Sequence, residues 1–187
     1  MTDLTADADD NWLLDEDEPV AAPGGLAAPD QRLWRVLIVD DDVDVHAVTR
    51  LALRNVNFKG RELELFSAYS GREAFDILRD TPDIALVLLD VVMETDDAGL
   101  ILAKRIRADL NNHIVRVVLR TGQPGQALEH RIIIDYDIND FWCKTDLTTR
   151  KLFTTVIASL RTYATLREAE QQLADLAAAL ARRSGTP

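Results

Sequence analysis

Cysteine is nearly missing: Cys143 is the only one in 187 residues, so no internal disulfide framework can form and a reducing compartment is expected. Cys143 lies in a strand-like run and reads as a small core hydrophobe rather than a redox centre. No apolar run approaches the roughly 20 residues that a membrane-spanning helix needs. The amino terminus is acidic and has no apolar h-region, so neither an anchor nor a signal peptide is expected, and the chain reads as cytoplasmic. No cluster of Lys and Arg forms a stripe, and Arg182-Arg183 is too small to count, so nucleic-acid binding is not expected. His46, His113 and His130 have no metal-like spacing, and each reads as a helix or surface histidine.

Positive charge is absent from residues 1–30, which hold nine acidic residues and no Lys or Arg. With −11 for the chain and −9 for this stretch, the remainder carries only −2. Residues 1–32, with Pro19-Val20-Ala21-Ala22-Pro23-Gly24-Gly25 near their end, read as a disordered, solvating tail. Trp12-Leu13-Leu14 is the exception, an apolar triplet able to dock on a partner or back on the domain. The rest is long enough for one core of ordinary domain size.

Five short apolar runs are present, and four of them lead into a residue suited to phosphoryl chemistry. Val36-Leu37-Ile38-Val39 runs into Asp40-Asp41-Asp42, and Leu86-Val87-Leu88-Leu89 into Asp90. Val115-Arg116-Val117-Val118-Leu119 leads past Arg120 to Thr121 and Gly122, and Phe141-Trp142-Cys143 ends at Lys144. The fifth run, Leu63-Glu64-Leu65-Phe66, carries no such residue. Short runs rich in β-branched residues read as buried parallel strands. Helical patterns separate them at Asp42 to Arg54, Gly71 to Arg79, Ala98 to Leu110 and about Pro124 to Ile134, with a long one from about Thr148. Strand and helix in alternation predict a doubly wound α/β domain with a five-stranded parallel sheet. Ligand sites in such sheets lie outside the carboxyl ends of the strands, where all the polar residues above fall.

Several carboxylates in one pocket repel each other, and a divalent cation relieves the repulsion. Oxygen-only ligands select a hard ion such as Mg²⁺. One carboxylate can then act as nucleophile and form an aspartyl phosphate, with Lys144 stabilising charge on the transferring group. The Thr121 hydroxyl can swing to a phosphoryl oxygen.

In their order and spacing these residues resemble the receiver domain of bacterial two-component response regulators, over roughly Leu33 to Tyr163. The resemblance implies a flavodoxin-like strand order of 2-1-3-4-5. It makes Asp40 and Asp41 the acidic pair, Asp90 the phosphoacceptor, Thr121 the switch hydroxyl, Phe141 the switch aromatic and Lys144 the family's lysine. It further implies that Asp41 and Asp90 ligate Mg²⁺, that Val92 adds its backbone carbonyl, and that Asp40 acts mainly through water. A histidine kinase or phosphotransfer protein is the implied partner. The segments Val91 to Gly99, Arg120 to Gln126 and Asp135 to Asp140 resemble a receiver subfamily found ahead of cyclic di-GMP-metabolising or histidine-kinase modules.

Three departures stand out. Glu94 replaces the usual Pro after Met93, and the loop through Gly99 is one residue longer than common. Thr145 replaces the Pro after Lys144, so a cis peptide is not expected there. Thr121-Gly122-Gln123-Pro124-Gly125 is rich in Gly and Pro where the switch should move.

From Thr148 neither Gly nor Pro interrupts the chain before Gly185. Leu152, Val156, Leu160 and Tyr163 form a face to pack on the sheet. Leu166, Ala169, Leu173, Leu176 and Leu180 then follow the heptad rhythm of a coiled coil. The expected division is a tail over 1–32, a receiver over 33–162 and a helical extension over 163–187, which pairs two chains as a weak homodimer or folds back on its own domain. An abrupt end at Gly185-Thr186-Pro187 fits truncation of a longer protein whose output module lies elsewhere.

Two other readings compete. A Mg²⁺-dependent phosphatase of the haloacid dehalogenase type also uses an Asp after an apolar strand, but its motif resembles Asp-x-Asp-x-Thr/Val. Counting from Asp40 the fifth residue is Asp44, and from Asp42 it is His46, so neither fits. A phosphorylation-independent scaffold would leave the complete acceptor set without a purpose.

Overall fold

The computed structural model describes residues 33–122, 135–144 and 148–184. The acidic tail, the expected fourth helix with Ile132-Ile133-Ile134, and Thr145 lie outside the described residues. The elements run β1 (Trp34–Val39), α1 (Val43–Leu53), β2 (Asn57–Phe58), β3 (Arg61–Ala68), α2 (Gly71–Asp80), β4 (Ile84–Asp90), α3 (Ala98–Ala108), β5 (Arg116–Thr121), β6 (Asp140–Cys143) and α4 (Thr149–Ser184).

The apolar runs become strands because both faces of the sheet are covered. All seven residues of β4 are buried, as a central parallel strand requires. One face packs Leu37, Val39, Val87 and Leu119 under Ala74, Leu78, Leu102 and Ile106 of α2 and α3. The other packs Val36, Leu88, Val118 and Trp142 under Leu53 of α1 and Leu152, Val156, Leu160 and Tyr163 of α4.

The sheet order is β2-β3-β1-β4-β5-β6. Its five parallel strands stand in the order 2-1-3-4-5 that the resemblance implies, counted without β2. The five expected parallel strands are all present, and a sixth, short strand is added at the edge, where Asn57–Phe58 pairs antiparallel with Arg61 and Glu62. Lys59 (φ 52°) and Gly60 (φ 75°) both have positive φ, the two-residue turn whose twist suits a hairpin. The short strand is fixed by buried Phe58, whose carbonyl accepts a hydrogen bond from Trp34 Nε1 at 2.8 Å.

Helix α4 has 36 residues and at 1.5 Å per residue spans about 54 Å. It runs unbroken past residue 163. Leu152, Val156, Leu160 and Tyr163 are buried, whereas Leu173, Leu176 and Leu180 are 67%, 58% and 58% exposed. The seam is therefore not folded back onto the domain. No described helix is long and apolar enough to cross a membrane.

Since β1, β4, β5 and β6 are parallel, their carboxyl ends share one edge of the sheet. Asp40, Asp90, Thr121 and Lys144 stand on that edge.

Candidate functional site

The three consecutive aspartates after β1 divide their work. Asp40 is fully buried, Asp41 is exposed, and Asp42 caps α1 by accepting from Asp44 N at 2.9 Å. Asp40 Oδ1 accepts from Asp42 N at 3.1 Å, which bends the chain toward the helix. Asp40 Oδ2 faces two cations, Arg120 Nη2 at 3.2 Å and Lys144 Nζ at 3.4 Å.

Asp90 ends β4 and is 2% exposed. Its Oδ1 accepts from Val91 N at 2.9 Å and its Oδ2 from Lys144 Nζ at 2.7 Å. Burial pushes the Asp90 carboxyl above its ordinary range; the Lys144 hydrogen bond opposes this, and the nearby charge of Asp40 adds to it. Burial alone would lower the Lys144 ammonium, but its bond to Asp90 and the charges of Asp90 and Asp40 outweigh that and leave it raised.

Asp40, Asp41 and Asp90 each offer a carboxylate oxygen, and these oxygens lie within 4.8 Å of one another. An all-oxygen donor set of this size fits a hard divalent cation such as Mg²⁺.

Around Asp90 the backbone is tightly fitted. Val91 N is shared between Asp90 Oδ1 and Arg120 O, the latter at 3.0 Å, and Gly99 N donates to Val91 O at 3.0 Å. A Cβ at Gly99 would sit 2.0 Å from Asp90 O, so only glycine lets α3 start this close to Asp90. Glu94, standing where the resemblance expects Pro, accepts from Gly71 N at 2.9 Å. This carboxylate satisfies an amide at the amino terminus of α2 and ties the loop after Asp90 to that helix.

Of the other expected site residues, Thr121 is buried at the end of β5, one step past the Arg120 that pairs with Asp90 in the sheet register. Phe141, half-buried on β6, packs on the α2–α3 face. Val92 lies two residues past Asp90 and is 46% exposed. Cys143 is half-buried beside Lys144.

Two residues close to the site escaped sequence reasoning. Arg120 is 1% exposed, and besides Asp40 it reaches Thr49 Oγ1 from Nη1 at 3.3 Å. His46, read as a helix or surface histidine, does lie on α1 but is 2% exposed. Its Nε2 lies 2.8 Å from Asp40 O and its Nδ1 2.8 Å from Ser67 Oγ. A carbonyl only accepts, so Nε2 carries a proton and donates to it. Both partners come from folding, which no local pattern around residue 46 reveals. His113 is exposed as expected, and His130 lies outside the described residues.

Comparison with known proteins agrees with this geometry. The response regulator receiver domain profile matches residues 36–157. The chain is 52% identical over 142 residues to the 3'3'-cGAMP-specific phosphodiesterase 2 of Vibrio cholerae serotype O1. That match takes in 76% of this chain but spans only 27% of the phosphodiesterase. Among solved structures, a CheY-like response regulator receiver domain protein from Methanospirillum hungatei JF-1 superposes with a TM-score of 0.58 at 21% identity, over 72% of this chain and 98% of that one. The adenylate cyclase from Rhodopirellula baltica gives a TM-score of 0.62 at 19% identity, over 76% and 98% of the two chains; at these identities the likeness speaks for the fold. A parallel sheet in this order, with an acidic cluster and a lysine converging on its carboxyl edge, belongs to a response regulator receiver domain, and this chain is a member of that family.

Proposed function

We propose that Asp90 accepts a phosphoryl group from the phosphohistidine of a histidine kinase or phosphotransfer protein, and that the added charge switches the domain. The observation that carries this reading is the buried carboxylate of Asp90 with Lys144 Nζ 2.7 Å from one of its oxygens. In the transfer the P–N bond of the donor breaks as an O–P bond to Asp90 forms, and the imidazole leaves as a neutral ring that keeps the proton on its other nitrogen. Lys144 shifts from the carboxylate to a phosphoryl oxygen, and the Thr121 hydroxyl turns to another. Asp41, Asp90 and the Val92 carbonyl would hold Mg²⁺. Asp40, whose two oxygens are already engaged by Asp42 N, Arg120 and Lys144, would act through water. When bound, the cation offsets charge on the transferring group.

Movement of Thr121 and Phe141 then changes the edge of the sheet next to α4, which connects the receiver over 33–162 to the extension over 163–187. The exposed leucines at 173, 176 and 180 follow heptad spacing, and they support a weak parallel homodimer as the form that carries the signal. The reading is of a cytoplasmic signalling domain serving an output of the cyclic-nucleotide kind named for its relatives, not of an enzyme acting on a separate substrate.

The test is labelling by acetyl phosphate with Mg²⁺. Wild type should take up a hydroxylamine-labile phosphoryl group and Asp90→Asn should take up none. Undiminished labelling of Asp90→Asn would sink the assignment.

A further inference from the structure

The acceptor pocket contains a second cation that the chemistry above does not use. Arg120 follows Val118 on the face of β5 turned toward α1 and α4, because side chains two apart on a strand share a face. It is 1% exposed and lines a cavity of about 220 Å³ together with Asp44, Val45, Val48, Thr49 and Lys144. Nη2 pairs with Asp40 Oδ2 at 3.2 Å, Nη1 reaches Thr49 Oγ1 at 3.3 Å, and the buried Nε has no hydrogen-bond partner among the described residues.

An arginine so placed is costly. Desolvation pulls its pKa down, and the charges of Asp40 and Asp90 only partly restore it. A well-packed apolar residue would fill the same space without an orphaned donor, so the guanidinium calls for another explanation.

Counting charge supplies one. Asp40, Asp41 and Asp90 bring three negative charges, with exposed Asp44 a fourth on the cavity rim, and Lys144 and Arg120 bring two positive ones. Lys144 is 34% exposed on a flexible stem and can follow its partner, whereas Arg120 is enclosed and cannot leave. A fixed positive charge repels an incoming cation and attracts an incoming anion.

We propose that Arg120 is a positioning residue, a permanent counter-ion that holds Asp40 in place and sets the pocket's charge so that it binds Mg²⁺ loosely at rest and favours the phosphorylated state. This rests on the acceptor reading above. Without Arg120 the pocket would be more negative by one, would hold Mg²⁺ more tightly, and would resist the charge that phosphorylation adds. The two effects of one substitution have opposite signs, which simple damage to the site cannot produce.

The experiment is calorimetric titration of the full chain, first with Mg²⁺ and then with beryllofluoride at saturating Mg²⁺. Arg120→Gln keeps a donor near Asp40 and removes the charge, and Arg120→Lys keeps the charge. For Arg120→Gln the expected result is Mg²⁺ binding tighter by about tenfold, the scale of one unit of differential charge interaction, with beryllofluoride binding weaker by a similar factor. Arg120→Lys should move both affinities back toward wild type. If Arg120→Gln alone does not fold, it is placed in an Asp40→Asn background, where no buried charge is left unpaired. There it should again tighten Mg²⁺ and weaken beryllofluoride relative to Asp40→Asn alone. Both affinities falling together, or neither moving, would overturn the proposal. A wild type that binds neither ligand would instead overturn the acceptor reading on which it rests.

Discussion

The carboxyl edge of the sheet and the far half of α4 are built on opposite plans. At the edge, Asp40, Asp90, Lys144 and Arg120 are packed so closely that each carboxylate oxygen of Asp40 and Asp90 meets a donor within 3.4 Å. Along α4 beyond Tyr163, large apolar side chains such as Leu173 and Leu176 face solvent. A pocket of paired buried charges responds steeply to one added charge, since little solvent screens it. A leucine stripe has no such response and waits for a surface to cover it. Under the proposed function the first region receives the signal and the second passes it on.

The largest expected contrast is in stability. Asp40→Ala leaves the buried Arg120 without its carboxylate and should cost about 3–5 kcal/mol. Leu173→Ala on the exposed stripe should change the stability of the monomer by less than about 0.5 kcal/mol. Urea unfolding of dilute protein checks both, and similar losses at the two sites would erase the contrast.

Next in size is the coupling between the regions. Beryllofluoride with Mg²⁺ should strengthen a weak homodimer by about five- to a hundredfold, the range of a 1–3 kcal/mol allosteric coupling. Leu173→Asp should abolish the dimer. Sedimentation showing the same monomer at all concentrations, with and without beryllofluoride, would remove dimerisation from the account.

Within the pocket, Asp41→Ala should weaken Mg²⁺ binding by more than about tenfold, since even losing an outer-shell partner of a metal typically costs about 10–100-fold. Asp40→Ala should weaken it less, despite the larger loss of stability. Equal effects on Mg²⁺ would remove the proposed division between a direct ligand and one acting through water.

The smallest effect concerns Asp90 itself. Burial raises its pKa in the fold, so the ionised form is disfavoured relative to the unfolded chain. That cost is absent below the unfolded pKa and grows as pH rises through the interval up to the folded one. In chelator, Asp90→Asn should therefore melt a few degrees above wild type near neutral pH, with the gap closing in acid. A variant that melts lower at neutral pH would mean that the Lys144 pair stabilises the resting fold more than burial costs it.

Much of this was legible in the sequence because parallel strands buried on both faces are written as continuous apolar runs. β1, β4, β5 and β6 were found that way, together with the polar residues at their ends. The exposure of the α4 leucines followed from a helix too long for its domain. β2 was not legible: two residues carry no alternation, and Lys59-Gly60 lacks the Asn or Asp that marks such turns. Arg120 read as the polar end of a strand, since its partner Asp40 lies 80 residues away in the chain. Glu94 stood out as a departure, but its bond to Gly71 across 23 residues emerges only from the fold.

The central claim is that phosphoryl transfer ends on Asp90. Its most direct test is to treat wild type with acetyl phosphate and Mg²⁺ and to locate the label by reduction with borohydride, proteolysis and mass spectrometry. The account predicts one modified residue, Asp90, with the label lost on hydroxylamine treatment. A label on Asp40, Asp41 or a serine or threonine, or none under conditions in which Mg²⁺ is bound, would contradict it.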